Sequence, residues 1–378
     1  MSPDPTLGST IRVAVVIPAH WDYAIGGAEY QAKLLVECLH KDHQADITWF
    51  AVRVGSRREF PDHRVQSVGQ NDRWRKYGHF WDYFRLPAAL HRFGPDVIYQ
   101  RVSCSYAGIA ARYARKHGIP MISHISSEND CRLAPPIRAL LRRPHAIVES
   151  RLAKSGIARA DMLVAQTRDQ VRLVRENYGR DARLIRNFHP VPSVPDKPRD
   201  RFTIAWVANL KELKRPELML EIADSLAAND RIEIVLCGQP FPVESVQSAF
   251  EDAVSTHPNV TYTGPLSQDE ANSLLDRASV LVNTSRFEGF SNVFVQAWMR
   301  AVPVLTLGVN PDGLLDGGSL GQAFANTSEL ASYTRALAAD FDRLAKMGRD
   351  CRAFATTQFS MSNAAELATL IAETARNR

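Results

Sequence analysis

Residues 283–298 read NTSRFEGFSNVFVQAW, and this stretch carries the clearest structural signal in the chain. An apolar run that ends at Asn283 predicts a strand, and Gly289 lets the backbone turn into a helix that begins near Ser291. Such a turn directs free N–H groups and the positive end of the helix past the edge of a sheet, where a phosphate is stabilised. A plain strand–turn–helix crossover, with Glu288 as a solvated acid, explains the same residues equally well.

Short apolar runs alternate with amphipathic stretches on both sides of this block, which predicts an α/β fold class with doubly wound parallel sheets. Prolines 190, 192, 195 and 198 block helix and central strand in the segment Asn187–Asp200. We therefore expect an N-terminal domain over 1–190, a linker over 191–200 and a C-terminal domain over 201–358. A last helix over 359–378 is expected to pack back on the N-terminal domain. The predicted strands are Ile11–Ile17, Asp46–Val52, Asp96–Tyr99, Pro120–His124, Met162–Ala165, Arg183–Ile185, Phe202–Val207, Ile232–Cys237, Val260–Thr263, Val280–Asn283 and Pro303–Leu307.

Length and composition exclude several classes of protein. The chain has 378 residues, of which 45% are hydrophobic and 23% charged, as in ordinary globular proteins and unlike disordered, collagen-like or coiled-coil chains. No apolar run approaches the roughly 18 residues of a spanning helix, and the first residues do not resemble a signal peptide. The five cysteines are scattered and form no CxxC pair, so we expect a reducing, cytoplasmic location without a disulfide framework or zinc site.

The positive charge is concentrated in the first half of the chain. Residues 1–198 contain 30 Lys and Arg against 19 Asp and Glu, a net charge of +11, while the remainder carries −6. This asymmetry predicts that the first half meets an anionic partner: nucleic acid, a membrane surface or a phosphorylated substrate. No helix-turn-helix, zinc-finger or aromatic RNA-binding motif accompanies the charge, which disfavours nucleic acid.

The block 283–298 resembles the Glu-x7-Glu signature of the family 4 retaining glycosyltransferases, which have the GT-B fold. The resemblance spans Ile11 to about Leu315 and implies two Rossmann-like domains that face a cleft. It also implies that a UDP- or GDP-linked sugar binds the second domain and that a glycan acceptor binds the first. Other segments are similar to the family's glycine-rich loop, Asn-containing turn, phosphate-binding loop and following strand: Gly26–Glu29, Ile185–Asn187, Trp206–Glu217 and Val302–Leu305.

The resemblance assigns roles to individual residues. Glu288 and His124 become the candidate catalytic residues, both expected to contact the donor sugar, although a lone histidine is more often structural. Lys214 becomes the main diphosphate cation, and no metal or other cofactor is implied. The remaining candidates for the donor diphosphate and sugar are Gly26, Gly27, Asn209, Arg215, Gly289, Phe290, Ser291, Asn292 and Val293.

Two positions depart from the family pattern. Gln296 stands where the family has its second Glu, which binds the nucleotide ribose, and Asn209 replaces a common Arg. A Gln keeps one acceptor oxygen, so we expect ribose binding to be weakened by about 1 kcal/mol rather than lost.

Three further features are open to a structural interpretation. Glu128-Asn129-Asp130 imitates a metal-binding DxD pattern, and we interpret it as loop polarity. Arg101 follows a strand and is expected at the surface rather than in the cleft. A basic amphipathic stretch, of the kind that rests on anionic lipid or forms a solvated face, contains Arg138, Arg142, Arg143, Arg151 and Lys154.

The family resemblance therefore leads us to expect a metal-independent, hexosyltransferase-type glycosyltransferase with retention, acting in exopolysaccharide or other cell-surface polysaccharide synthesis. The acceptor is expected to be a glycan linked to a lipid diphosphate, and the protein to be cytoplasmic or peripheral on the inner face of the membrane. Two alternatives stay open: a nucleotide-sugar 2-epimerase of the same fold, and a non-catalytic partner subunit of the same fold.

Overall fold

The computed structural model describes residues 10–23, 26–69, 78–132, 145–193, 197 and 200–378. The chain divides into two compact units. The first consists of Met1–Phe188 and Met361–Arg378, and the second of His189–Ser360. The division falls between Phe188 and His189, two residues before the predicted linker.

The first unit is built on a seven-stranded parallel sheet with the order β3-β2-β1-β4-β5-β6-β7. Successive residues of β1 point to opposite faces. Val13 and Val15 pack with helix α1 and the C-terminal helix, while Ala14 and Val16 pack in the second core with α2 and α3. The strands are β1 Arg12–Val16, β2 Asp46–Ala51, β3 Arg64–Ser67, β4 Val97–Arg101, β5 Met121–His124, β6 Met162–Ala165 and β7 Arg183–Leu184. The helices are α1 Gly27–His43, α2 Gly78–Phe93, α3 Ser105–His117, α4 His145–Arg159, α5 Arg168–Tyr178 and the C-terminal helix Ser362–Arg376.

The second unit contains a six-stranded parallel sheet with the order β10-β9-β8-β11-β12-β13. Its strands are β8 Phe202–Val207, β9 Ile232–Cys237, β10 Val260–Tyr262, β11 Val280–Asn283, β12 Val304–Leu307 and β13 Gly321–Phe324. Its helices are α6 Glu217–Leu226, α7 Glu244–Ser255, α8 Gln268–Arg277, α9 Asn292–Met299, α10 Thr327–Ala338 and α11 Phe341–Gln358.

Both sheets have the strand order of a Rossmann fold. In each, the order runs from the third strand back to the first and then jumps to the fourth, so the connections diverge between the first and fourth strands. Ligands of open α/β sheets bind beyond the carboxyl ends of the strands at this switch point. The predicted fold class is therefore confirmed, and a switch point lies between β1 and β4 in the first unit and between β8 and β11 in the second.

The predicted strands match observed ones, and the remaining two, β3 and β13, are edge strands with weak sequence signals. β3 reads RVQS and buries only Val65, so it lacks the continuous apolar run of a central strand. β13 reads GQAF and begins with a glycine. Helix α2 contains Pro87, a residue that normally ends a helix. In the part of the chain that the structure describes, no helix is both long enough and apolar enough to cross a lipid bilayer.

Candidate functional site

The switch point of the second unit is formed by two loops that follow β8 and β11. The first loop leads through a 3-10 turn, Glu212–Lys214, to α6, and the second leads through Glu288 to α9. The backbone N–H of Arg286 donates to the carbonyl of Leu213 at 2.9 Å, so the two loops hold one another. Lys214 and Glu288, which are 74 positions apart in sequence, are thereby brought together.

An ion pair between Lys214 and Glu288 lies at the centre of this edge. Nζ of Lys214 donates to Oε1 of Glu288 at 2.5 Å, and only 22% and 12% of the two side chains are exposed. The same oxygen accepts hydrogen bonds from Nδ2 of Asn283 at 3.1 Å and from Oγ of Ser285 at 2.7 Å. All three donors bind Oε1, so Oε2 has no hydrogen-bond partner among the described residues. This oxygen is the free acceptor of the cluster.

Thr284 holds in place the lysine loop, which is the loop after β8 that carries Lys214. Its hydroxyl donates to the carbonyl of Lys214 at 2.6 Å and accepts from Nε1 of Trp206 at 2.9 Å. Thr284 and Trp206 are almost completely buried. The Thr284 hydroxyl thus satisfies both the Trp206 N–H and the Lys214 carbonyl. These two hydrogen bonds fix the position of the Lys214 backbone, and so the point from which its side chain starts.

Arg215 is used differently from its neighbour. Its backbone adopts a left-handed conformation with φ at 49°, which turns its side chain away from the direction of a regular helix. The guanidinium donates to the carbonyls of Thr284 at 2.6 Å and Leu307 at 3.2 Å. Arg215 therefore ties together the ends of β11 and β12, and the predicted role as a second diphosphate cation does not account for these bonds.

Helix α9 points its first turn at the same edge of the sheet. It begins at Asn292 after Ser291, whose side chain makes no capping hydrogen bond, so the positive end of the helix dipole has no side-chain cap from Ser291. Asn292, Val293 and Gln296 are half-buried, whereas the rest of the helix up to Met299 is buried. Gln296 therefore lies one helical turn after Asn292, on the same half-buried face of α9.

Phe290 contributes packing rather than a polar contact. Its ring is buried and stacks on Phe359 with 5.1 Å between the ring centroids. The aromatic anchor sets the direction in which Gly289 and Ser291 enter α9. Because the Phe290 side chain is used for packing, its backbone N–H is the remaining candidate for the predicted contact with the donor.

The side chain of Asn292 lies within hydrogen-bond distance of a neutral histidine, His189. Nε2 of His189 lies 3.3 Å from Oδ1 of Asn292, and burial lowers the pKa of His189 to about 4. Asn209, by contrast, is exposed, and its Oδ1 accepts from the backbone N–H of Gln239 at 3.2 Å.

The other predicted site residues lie in the first unit. Gly26 is the N-cap of α1 and Gly27 is its first residue, so the glycine pair follows β1 as predicted. A side chain on Gly26 would meet the carboxylate of Glu29, whose Oε2 lies 2.2 Å from the Cβ position. His124 is the last residue of β5, and only 1% of it is exposed.

Arg101 corrects one expectation from the sequence. It is the last residue of β4 and is 1% exposed, so the surface interpretation is wrong. Arg101 and His124 are directly paired between β4 and β5. An apolar strand that ends in Arg is a pattern that sequence reasoning can find, but burial of the guanidinium is decided by its neighbours.

The acidic triplet after β5 has a structural use. Oδ2 of Asp130 accepts from the backbone N–H groups of Ser126 and Ser127 at 2.9 and 3.0 Å and closes a 3-10 turn over Glu128–Cys131. Of the basic amphipathic stretch, Arg151 and Lys154 lie on α4. The other three members, Arg138, Arg142 and Arg143, lie outside the described residues.

Five residues that sequence reasoning did not select complete the two sites. Asn283 and Ser285 hold Glu288, Trp206 supports the lysine loop through Thr284, and Tyr99 binds His124 in the first unit. Asn283 and Ser285 directly flank the end of a strand that leads to Glu288. Polar residues at the end of a buried strand were the available signal.

Comparison with protein families finds two models that together match residues 25–340. Residues 25–214 match the model described as Glycosyltransferase Family 4, and residues 201–340 match the model described as Glycosyl transferases group 1. A D-inositol 3-phosphate glycosyltransferase of Nocardia farcinica (strain IFM 10152) is 27% identical over 239 residues, covering 56% of this chain and 52% of the relative. The chain thus spans about half the length of that curated relative.

Several solved structures share the fold. Sucrose-phosphate synthase from Thermosynechococcus elongatus has a TM-score of 0.79 at 15% identity over 97% of this chain and 100% of its own. WaaG, a glycosyltransferase involved in lipopolysaccharide biosynthesis, has a TM-score of 0.77 at 13% identity over 95% and 99%. Anabaena HepE in complex with UDP-glucose has a TM-score of 0.72 at 15% identity over 97% and 100%.

The support of the lysine loop by Thr284 can be measured as stability. Thr284→Val keeps the shape of the side chain but leaves the buried Trp206 N–H and the Lys214 carbonyl without their partner. We expect the free energy of unfolding in urea to fall by about 1–3 kcal/mol. Thr357→Val, which changes an exposed helix residue, should alter it by less than about 0.5 kcal/mol. Equal effects of the two substitutions would contradict the assigned role.

Proposed function

Because the chain belongs to glycosyltransferase family 4, we propose that it transfers a hexose from a nucleotide sugar to a glycan acceptor with retention of the anomeric configuration. The GT-B fold predicted from the sequence is confirmed by the two Rossmann-like sheets and by the glycosyltransferase structures that share them. The observation that carries the proposal is the Lys214–Glu288 pair at the switch point of the second unit. Retention is supported by the resemblance of residues 283–298 to the retaining signature.

The reaction needs fixed positive groups beside the leaving diphosphate. Breaking the bond between the sugar and the diphosphate places negative charge on the departing oxygen and positive charge on the sugar ring. The ammonium group of Lys214 and the positive end of the α9 dipole lie at the same sheet edge and would stabilise that negative charge. Because these groups supply the positive charge, we expect transfer to survive EDTA.

Glu288 would hold the donor sugar through its second oxygen. Oε1 is occupied by Lys214, Asn283 and Ser285, and this fixes the direction of Oε2. A carboxylate oxygen accepts a hydrogen bond from a sugar hydroxyl, and its charge favours a ring that becomes cationic. Oε1 remains bonded to Asn283 and Ser285 if the diphosphate attracts Lys214.

The donor is proposed to be linked to UDP or GDP. HepE is described in complexes with UDP and UDP-glucose, which supports a nucleotide sugar. Gln296, half-buried on the outer face of α9, would accept a hydrogen bond from a ribose hydroxyl through its single carbonyl oxygen.

A ligand panel tests the donor site directly. UDP, GDP and their sugar conjugates are added separately, and thermal unfolding is followed. A ligand at 100 times its Kd stabilises the protein by about 2.7 kcal/mol, so one nucleotide series should raise Tm. Lys214→Met should weaken that series about tenfold, whereas Lys346→Met, an exposed lysine of α11, should not. No shift with any of the nucleotides would contradict a nucleotide-sugar site.

Substitution of Glu288 tests catalysis. Glu288→Gln keeps the volume and removes the charge, so the rate of transfer should fall at least about 100-fold without loss of folding. Glu212→Gln, which changes an exposed acid of the neighbouring loop, should leave the rate unchanged. Polymer synthesis that continues with Glu288→Gln would identify a non-catalytic partner subunit instead.

The epimerase alternative is separated by its product. It requires groups that move a proton, and incubation of a UDP-sugar without acceptor would yield an epimer. Transfer yields a new glycoside only when acceptor is present, and NMR of its anomeric proton reports retention or inversion.

The acceptor is proposed to be a glycan on a lipid diphosphate at an anionic membrane, in cell-surface polysaccharide synthesis. Helix α3 packs between α2 and α4, and these helices together carry eight Arg and Lys against two Asp and Glu, of which Asp82 is buried. Phe84 on α2 and Val148 on α4 are exposed by 71% and 41%. A basic layer with exposed apolar side chains suits the surface of anionic lipid. The bases are Arg85, Arg92, Arg112, Arg115, Lys116, Arg151, Lys154 and Arg159.

Vesicle flotation tests the membrane part of this proposal. The protein should float with vesicles that contain anionic lipid, remain behind with neutral vesicles, and be released by high salt. Arg115→Glu with Lys116→Glu should weaken flotation at least about tenfold. The charge-matched pair Arg277→Glu with Arg349→Glu, in the second unit, should have little effect. Equal solubility with both kinds of vesicle at low salt would refute the membrane proposal.

A further inference from the structure

A buried polar cluster lies at the carboxyl ends of β4 and β5 in the first unit. Tyr99, Arg101 and His124 are each exposed by 1% or less. Tyr99 and Arg101 are two residues apart on β4 and so share a face of the sheet, and Arg101 is paired with His124 on β5. The three side chains therefore meet on one face, beside the switch point between β1 and β4.

Both neighbours of the imidazole act on the same nitrogen. Nδ1 of His124 lies 2.8 Å from the hydroxyl of Tyr99 and 3.4 Å from Nη1 of Arg101. A guanidinium only donates hydrogen bonds, so an N–H at Nδ1 would oppose the Arg101 N–H. Nδ1 must therefore carry a lone pair, and the tyrosine hydroxyl donates to it. The single proton of the neutral ring is then on Nε2.

The cluster lacks acceptors at two points. Nε2 of His124 and Nε of Arg101 are buried without a hydrogen-bond partner among the described residues. Each is a donor, and an unmade buried hydrogen bond is unfavourable. The Arg101 guanidinium is otherwise held by Oδ1 of Asn187 at 3.0 Å. A ligand that supplies an oxygen acceptor would complete the cluster.

The family resemblance already implies that His124 contacts the donor sugar. We propose that Tyr99 and Arg101 are positioning residues that hold His124 as its Nε2–H tautomer, so that this contact is a hydrogen bond donated by Nε2 to an oxygen of the transferred sugar. This inference rests on the proposed glycosyltransferase function. A hydroxyl oxygen of the sugar accepts the bond, and no proton is transferred in the step. Burial and the charge of Arg101 also lower the pKa of His124 well below its ordinary value, which keeps the ring neutral.

The arrangement assigns His124 a role other than that of a general base. A base needs a free lone pair near the reacting proton. Nδ1 uses its lone pair to accept from Tyr99, and Nε2 carries a proton instead of a lone pair. The histidine is thus built to bind and orient.

Nitrogen NMR of the histidine rings reads the tautomer without any assay of activity. The His124 signals are assigned from their loss in His124→Gln. We expect a neutral ring protonated at Nε2 across about pH 5.5–8. In Arg101→Met the fixed tautomer should be lost, with the ring exchanging between its two neutral forms or becoming charged. A ring protonated at Nδ1 in the unsubstituted protein, or charged at neutral pH, would overturn the proposal.

Steady-state kinetics of matched variants test the proposed hydrogen bond between His124 and the sugar. Gln can place an amide N–H near the position of Nε2, so His124→Gln should retain most of kcat/KM for the nucleotide sugar. In His124→Ala, kcat/KM should fall about ten- to a hundredfold, and in Tyr99→Phe it should fall by a smaller factor. Tyr113→Phe, which alters another buried tyrosine of the same unit, should change nothing. Circular dichroism verifies the folding of each variant.

Binding of UDP separates failure of this inference from failure of the proposed function. UDP has no sugar to transfer, so its Kd should be equal in His124→Ala and the unsubstituted protein. Loss of UDP affinity in His124→Ala, or equal activity of His124→Ala and His124→Gln, would overturn the proposal. If the tautomer is as expected but the unsubstituted protein neither binds a nucleotide nor transfers a sugar, the proposed function fails instead.

Discussion

The hydrogen bonds to a single carboxylate oxygen organise the functional edge of the second unit. Oε1 of Glu288 receives Lys214 from one loop and Asn283 and Ser285 from the other. With little exposure to water, an ammonium and a carboxylate are stable there only because each has partners. The same contacts leave the second carboxylate oxygen without a hydrogen-bond partner in the part of the chain that the structure describes. The ion pair therefore unites the place where a sugar would be held with the place where a diphosphate would leave.

The corresponding edge of the first unit holds its polar groups in a different way. Here Arg101 is buried beside a neutral His124 and an amide oxygen of Asn187, and two of the N–H donors have no acceptor among the described residues. At its functional edge the second unit pairs Lys214 with Glu288, while the corresponding edge of the first unit retains donors without an acceptor among the described residues.

Particular elements show how far the sequence could be interpreted. The central strands were predicted because a strand buried on both faces must be apolar along its whole length, as IRVAVVI at 11–17 is. The edge strands β3 and β13 are half-covered and carry no such run. Glu288 and Lys214 were each selected from a motif, but Trp206 and Thr284 were not. Their importance arises from a contact between loops 70 or more positions apart.

The sequence by itself determined the α/β class, the family and the residues at the ends of the strands, because periodicity and motifs are local properties of the chain. The tertiary structure alone decided which of those residues pair. It buried Arg101 against expectation, turned Arg215 onto carbonyl groups and used Phe290 as an anchor in the core. The physical reason is that charge state, tautomer and hydrogen bonding depend on the distance to groups remote in sequence, and only packing of the strands fixes those distances.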